Sequence, residues 1–334
     1  MSAEVTIIVP VYNIEHYLAE TLDSILAQTY TNWVCLLVND GSTDESQRVI
    51  DCYCSQDKRF KGFFKRNERS ADLVRKYAIQ YVETEWVMPI DGDDVIVPEY
   101  IERMVQRQIE TGADLVMSRF VGCVNGINGV DYMTPDQFFD MSQVLEGRQV
   151  CIDNIGGWTS SLNGALYRKS LTEGVLFGPY MNSDEFSQRL IEYNANKVAF
   201  CDVRYLYRSN DGTSTKVSVR MFDRTLVDMQ LEQFVCDYFP ERDDKVKALA
   251  WQRLFNLIYL TADYKIHRNE FTSEEREKAL MILRQSYFAL NRRVIRTVAP
   301  VQTLMLTHSF LLFSLIATAY VRYKRSHGGK YFYR

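Results

Sequence analysis

Residues 5–46 read VTIIVPVYNIEHYLAETLDSILAQTYTNWVCLLVNDGSTDES, and the fold turns on how this stretch is parsed. Val5 to Val11 is a short apolar, β-branched run stopped near Pro10, the pattern of a buried strand. From Glu15 to Gln28 the period changes, and Tyr17, Leu18, Thr21, Leu22, Ile25 and Leu26 fall on one helical face. Trp33 to Val38 is a second buried strand. It closes on Asn39-Asp40-Gly41-Ser42-Thr43-Asp44, a turn whose Asp44 is placed to cap a helix running through Cys54.

The alternation continues outward. Phe60–Phe64, Trp86–Ile90 and Asp114–Phe120 read as strands, Ser70–Glu83 as a helix, and Pro98 opens another through Glu110. This order predicts an α/β fold with a mostly parallel sheet. Ligands of such sheets bind outside the carboxyl ends of the strands. Residues 121–155 carry Gly122, Gly126, Gly129 and Gly147 without period and read as an irregular insertion. Strands near Gly164–Tyr167, Val198–Phe200 and Tyr205–Tyr207 and a helix over Asp184–Tyr193 follow. From about Val219 the pattern is helical, with Trp251, Leu254, Phe255, Leu257 and Ile258 as one apolar face. The expected organisation is a first domain over 1–218 and a helical extension over 219–334.

Composition is that of an ordinary globular enzyme: 334 residues, 46% hydrophobic, 25% charged, net charge −4. The near-neutral total hides an asymmetry. Residues 278–334 hold ten Lys/Arg and no acidic residue, which leaves the first 277 with −14. An acidic body argues against nucleic acid as a partner. Seven cysteines, without a CxxC pair or neighbouring histidines, argue against a zinc site, and most read as small core residues in a reducing compartment. The first residues lack the basic segment and apolar run of a secretory signal, so the expected location is cytoplasmic. Val298–Tyr320 has the length of a membrane span, but Pro300, Gln302, Thr303, Thr307 and His308 make it polar, and basic clusters flank both ends. A helix lying on the membrane surface is expected, with Phe310, Leu311, Phe313 and Leu315 in lipid and the tail 292–334 on anionic headgroups.

The strongest chemical signal is Asp91-Gly92-Asp93-Asp94, directly after Val87-Met88-Pro89-Ile90. Carboxylates packed this densely at a strand end repel one another unless a cation shares them, and hard oxygen ligands suit Mg²⁺ or Mn²⁺ bridging to a diphosphate. An EF-hand-like calcium loop ending at Glu102 is excluded by Val95 and Ile96 at its ligand and glycine positions. Neither a dinucleotide glycine fingerprint nor a P-loop is present.

Pro10-Val11-Tyr12-Asn13, Ser24-Ile25-Leu26-Ala27-Gln28-Thr29, Asn39-Asp40-Gly41-Ser42-Thr43-Asp44 and the Asp91–Asp94 run, in this order, resemble the family 2 glycosyltransferases of bacterial polysaccharide and lipopolysaccharide synthesis. The resemblance is strong over 4–120 and weaker over 155–215. It implies the A-type, Rossmann-like fold with a helical C-terminal extension, a donor half over 4–120 and an acceptor half over 121–218. It also implies a nucleoside-diphosphate sugar as donor, a UDP-sugar being favoured, and a glycan or lipid-linked acceptor. Pro10, Val11, Tyr12, Asn13 and Asp40 would then hold the nucleoside, Asp91 and Asp93 the ribose and metal, and Asp93 and Asp94 the Mn²⁺ or Mg²⁺. Arg75 matches the arginine of the family's N-x-G-x-x-x-A-R-N segment, whose glycine and second asparagine are here Arg69 and Lys76.

Asp184-Glu185 falls where the family carries the acidic pair that supplies the general base, and Asp184 is the first choice with Glu185 behind it. Tyr205-Leu206-Tyr207-Arg208 with Ser214 resembles a segment closing near the donor phosphates, which gives Arg208 the leaving diphosphate. Trp158 falls where relatives line the acceptor site. The implied reaction is an inverting transfer at the inner face of the plasma membrane. A nucleotidyltransferase would show a basic glycine-rich loop where Tyr12-Asn13-Ile14-Glu15 stands, and a non-catalytic nucleotide-sugar-binding or scaffold protein would not need the intact acidic run.

Overall fold

The computed structural model describes residues 4–124, 140, 142–155, 161–209, 218–306 and 308–327. Two compact units are present, Met1–Pro179 with Ser187–Asn210, and Tyr180–Phe186 with Asp211–Arg334.

The first unit is built from β1 (Val5–Val11), α1 (Leu18–Leu26), β2 (Trp33–Asn39), α2 (Ser46–Gln56), β3 (Phe60–Phe64), α3 (Ala71–Ile79), β4 (Trp86–Pro89), β5 (Val95–Ile96), α4 (Tyr100–Thr111), β6 (Leu115–Val124), β7 (Val144–Leu145), α5 (Gly147–Asn154), β8 (Leu166–Arg168), most of α6 (Ser183–Asn194) and β9 (Val198–Ser209). Strand order is β3-β2-β1-β4-β8-β6-β9-β5, with β7 on β9. β1, β2, β3 and β4 pair in parallel, as do β6 and β9. β8 runs antiparallel to both β4 and β6, and β5 and β7 run antiparallel to β9.

Alternation along β1 explains the layers. Val5, Ile7, Val9 and Val11 pack with Leu18, Leu22 and Ile25 of α1, Ile50 of α2 and Met104 of α4. Ile8 points to the opposite face, among Val74 and Ala78 of α3, Val150 of α5 and Ile191 of α6. Both faces are covered, which is why the strands read as continuous apolar runs rather than alternating ones.

Several expectations need correction. The insertion over 121–155 contains β7 and α5. The two strands expected over 198–207 are one, with a register shift opposite Ser118/Arg119. Asp44 does not occupy the cap position of α2, which begins at Ser46 after Glu45. Its carboxylate instead accepts from the backbone N–H groups of Ser46 (3.0 Å) and Glu15 (3.0 Å), tying α2 to the end of β1.

The second unit is helical: α7 (Arg224–Tyr238), α8 (Asp243–His267), α9 (Ser273–Phe288), α10 (Arg292–Val298) and α11 (Phe310–Ser326). Leu254, Leu257, Ile258 and Ala262 of α8 meet Ile282 and Tyr287 of α9, Ile295 of α10, and Phe313, Ala317 and Val321 of α11. Trp251 is not on that buried face but 37% exposed, while Arg253 takes a core position, bonded to Glu232 (2.5 Å) and to the Ser286 carbonyl (2.9 Å). Phe310 and Phe313 also belong to the core rather than to an outward face. Among the described residues no helix is long and apolar enough to cross a membrane.

Candidate active site

β1 has β2 on one side and β4 on the other, so the chain reverses its winding at β1 and opens a crevice beyond the carboxyl ends of these strands. Three of the sequence motifs meet there. Asp40 N–H donates to the Val11 carbonyl (2.9 Å), and Asn13 N–H to Ser42 Oγ (3.1 Å). Thr43 N–H donates in turn to Asn13 Oδ1 (2.8 Å). Asn13 has a left-handed backbone, φ 51°, a conformation that asparagine tolerates. Tyr12 is 40% exposed at the crevice. The acidic turn passes so close to β1 that a side chain on Gly92 would lie 2.9 Å from the Pro10 carbonyl oxygen and 2.5 Å from Ile14 Cδ1. Only glycine fits there.

Asp40 is buried. Its carboxylate accepts the Glu68 N–H (3.1 Å) and faces Lys65 Nζ (3.4 Å), which fastens the loop after β3 to the end of β2. In that loop Arg69 has a left-handed backbone, φ 59°, a conformation that glycine adopts without steric cost.

Each carboxylate of the acidic turn has a different environment. Asp91 is gripped from two sides: Arg75 NH2 donates to Oδ1 (2.6 Å) and Asn163 Nδ2 to Oδ2 (2.6 Å), while Asn163 Oδ1 accepts from Arg75 (3.1 Å). Arg75 is held by α3, whose Ser70 caps the helix through Leu73 N–H (3.3 Å) and also donates to the Gly178 carbonyl (2.8 Å). Asp72 of the same helix accepts from Gly178 N–H (2.7 Å) and Ser187 Oγ (2.7 Å). A cavity of about 20 Å³, enough for roughly one water, lies beside this cluster against Tyr167, Phe177 and Gln188.

Asp94 is buried at 1% exposure. Its oxygens accept from the Tyr205 hydroxyl (2.7 Å) and the Arg208 N–H (2.8 Å). Burial, then the charges of Asp91 and Asp93, push its carboxyl well above the usual range, partly offset by these two hydrogen bonds. Arg208 Nε donates to the Asp93 carbonyl (2.8 Å), its guanidinium pairs with Glu20, and it stands 5.1 Å from the Tyr17 ring. The side chain expected on the leaving diphosphate therefore clamps the acidic turn to α1. Asn163, Tyr205 and Glu20 are absent from the expected site. Asn163 and Glu20 have no motif to mark them, and Tyr205 falls in a segment where only Arg208 drew a role.

Among the described residues no group of three or more His, Cys, Asp or Glu is arranged to hold a metal ion. Asp91 is committed to Arg75 and Asn163, and Asp94 to Tyr205 and Arg208. Carboxylate oxygens such as those of the half-buried Asp93 are nevertheless the hard donor type that would suit Mg²⁺ or Mn²⁺.

The acidic pair Asp184-Glu185 opens α6 in the second unit. Asn182, with φ 65°, turns the chain into the helix, and its carbonyl accepts from Glu185 N–H (3.0 Å). Glu185 Oε1 lies 3.6 Å from Arg224 NH2, both side chains being largely buried. Asp184 is half-buried. Trp158 and Ser214 lie outside the described residues.

Comparison with known proteins bears on the whole chain. The family model for glycosyl transferase family 2 matches residues 6–175. Glycosyltransferase GlyG of Streptococcus pneumoniae serotype 4 is 26% identical over 306 residues, spanning 88% of this chain and 99% of that protein. Among solved structures, S. aureus TarS 1–349 in complex with UDP-GlcNAc superposes with a TM-score of 0.68 at 21% identity, covering 98% of this chain and 93% of TarS. Mannosyltransferase PcManGT of Pyrobaculum calidifontis, in complex with GDP-Man and Mn²⁺, gives 0.54 at 15% identity, covering 96% and 87%. These structural likenesses establish the A-type transferase fold.

Proposed function

Because the chain belongs to glycosyl transferase family 2 and is a glycosyltransferase, we propose that it moves a sugar from a nucleoside-diphosphate sugar to a hydroxyl of a glycan or lipid-linked acceptor, with inversion at the anomeric carbon. The observation that carries this reading is the Asp91–Asp94 turn at the carboxyl end of β4, fixed by Arg75 and Asn163 beside the end of β1. UDP-GlcNAc in TarS and GDP-Man with Mn²⁺ in PcManGT support a nucleotide-sugar donor and a divalent ion, with a UDP-sugar favoured by the closer fold.

Pro10, Val11, Tyr12 and Asn13 line the nucleoside side of the crevice, with Tyr12 offering a ring face to the base. Asp40 shapes the base pocket by holding the loop at Glu68. Asp91 orients the ribose and, through its pairing with Arg75, presents a cation towards the diphosphate. Asp93, backed by Asp94, would hold Mn²⁺ or Mg²⁺, which would supply positive charge against the departing nucleoside diphosphate. Asp184 takes the proton from the acceptor hydroxyl, and Glu185 keeps α6 in place through Arg224. Residues 4–120 serve the donor and 121–218 the acceptor. The enzyme works in the cytoplasm at the inner face of the plasma membrane, in cell-surface polysaccharide synthesis.

The test is thermal stabilisation by UDP and by GDP with and without Mn²⁺, followed by a screen of nucleotide sugars for hydrolysis. Metal-dependent stabilisation by one nucleotide, with turnover of its sugar, is expected. Indifference to both nucleotides would replace this reading with a scaffold role.

A further inference from the structure

Among the described residues of the second unit, none covers one apolar face. α11 turns Phe310, Phe313, Ser314, Ala317, Thr318 and Val321 inward, a spacing of three and four that marks one helical face. The opposite face holds Leu311, Leu312 and Leu315, which are 64%, 48% and 55% exposed. Just before it, Val301 and Leu304 are 68% and 81% exposed, the two highest values for large apolar side chains among the described residues. Single exposed leucines are ordinary surface, but five large aliphatic side chains within 301–315 form a patch that implies an occupant.

The charges around the patch decide which occupant. Tyr287 of α9 packs against Phe310 and Phe313 with ring centroids 5.6 and 4.7 Å apart, so the C-terminal part of α9 lies at the root of α11. There Arg284 stands 6.0 Å from the Phe310 ring and Arg292 stands 5.1 Å from the Tyr287 ring. Arg293 and Arg296 are exposed on α10, and Arg322 and Lys324 on the last turns of α11. Arg325 is the exception, turned to Asp263 at 2.8 Å. No Asp or Glu occurs from Lys278 onward. A second copy of the chain would bring an equally basic face against this one, and like charges in a symmetric interface disfavour that pairing.

We propose that this face seats on an anionic lipid surface, with Val301, Leu304, Leu311, Leu312 and Leu315 at the boundary of headgroups and acyl chains and the surrounding arginines and Lys324 on headgroup phosphates. The leucines supply apolar burial and the cations supply attraction, the two signals that together give stable interfacial binding. The set differs from the sequence expectation, since Phe310 and Phe313 are core residues and Val301, Leu304 and Leu312 take their place. It deepens the reading of the chain as a transferase for a lipid-linked acceptor and rests on that reading only for what the surface brings within reach.

The experiment is flotation of the full chain with neutral phosphatidylcholine vesicles and with vesicles containing roughly 30% phosphatidylglycerol. The wild type is expected to float with the anionic vesicles only. The triple substitution Leu304→Glu, Leu311→Glu, Leu315→Glu touches exposed positions and is expected to lower binding about tenfold or more, with unchanged circular dichroism and unchanged hydrolysis of the donor in solution. Arg293→Glu with Arg296→Glu is expected to weaken binding and its response to salt. Binding that is equal on neutral vesicles, or unaltered by the triple substitution, overturns the proposal. So does a wild-type dimer in light scattering that the triple substitution dissolves while no vesicle is bound. If flotation holds and no nucleotide sugar is ever turned over, the catalytic reading falls and the membrane face stands.

Discussion

Tyr205 donates its phenolic hydrogen to Asp94 Oδ2 at 2.7 Å, and its own phenolic oxygen accepts the Asp91 N–H at 3.0 Å. One buried hydroxyl thus joins the first and last residues of the acidic turn. Its ring is fixed by stacking on Phe120, with centroids 5.4 Å apart and planes 9° from parallel. Tyr205→Phe keeps the stack and removes the joint, leaving a buried N–H and a buried carboxylate oxygen short of a partner. A stability loss of about 1–3 kcal/mol is expected in denaturant titration. A fall of roughly tenfold or more in kcat/KM is expected with it, since small displacements of positioning groups are costly. Wild-type turnover in Tyr205→Phe would show that the turn holds its shape without the hydroxyl.

The acidic pair on α6 separates by environment. Glu185 faces Arg224 at 3.6 Å, so Glu185→Gln is expected to cost about 1–2 kcal/mol of stability while retaining most of the turnover. Asp184→Asn should keep the melting temperature and lower kcat by about 10²–10⁴. Turnover measured beside thermal melts for both variants decides the assignment, and the opposite pattern would make Glu185 the base.

Asn163 is the partner that no motif announces. Asn163→Ala removes a donor from Asp91 and an acceptor from Arg75, both in a largely buried cluster. Its effect should appear mainly as weaker nucleotide binding, about tenfold by calorimetry, with the fold intact. Binding indistinguishable from wild type would reduce Asn163 to packing.

Arg69 carries a left-handed backbone at φ 59°. Arg69→Gly should be close to neutral, because relief of about 1 kcal/mol of backbone strain is offset by the greater freedom of glycine in the unfolded chain. Arg69→Val should cost more than about 1 kcal/mol, since a β-branched residue resists that conformation. Chemical denaturation of the three proteins tests the order.

Glu192 gives a pH dependence. Burial raises its carboxyl above the ordinary value, and Arg189 and Asn154 only partly offset this. The folded form therefore binds the proton more tightly than the unfolded chain. The protonated form's contribution is complete below the unfolded value of 4.5 and is lost as pH rises through the elevated folded value. Glu192→Gln should flatten the stability profile across that window. An unchanged profile would assign the pH dependence to other groups.

The parallel half of the sheet is plain in the sequence because both its faces are buried and each strand is an unbroken apolar run, as in Val5–Val11 and Trp33–Asn39. The motif residues are equally plain, since they cluster at the ends of those strands. What escapes is long-range. β5 is two residues long, too short for any period, yet it pairs Val95 with Leu206 and brings β9 to the acidic turn. Arg208 reads as a free cation on an aromatic strand, and only the fold reveals Glu20 and the Asp93 carbonyl as its partners. The sequence marks an apolar stretch over Val298–Tyr320, whereas α11 runs from Phe310 to Ser326, and its inward phenylalanines and outward leucines are adjacent letters that only packing on Tyr287 sorts.

The grip on Asp91 also bears on how such a chain can be divided. Its carboxylate is held by Arg75 from one end of the unit and by Asn163, which lies 72 residues further on in sequence. Tyr205 and Arg208 close the same turn from later still. A fragment ending near Phe120 would keep every recognisable donor motif and lose all three of those later residues. β4 would also be left with an open edge where β8 now pairs, a template for aggregation. The motif-rich segment is therefore not a transplantable cassette: its chemistry is assembled by residues that follow it, and grafts or truncations in this fold should be cut after β9.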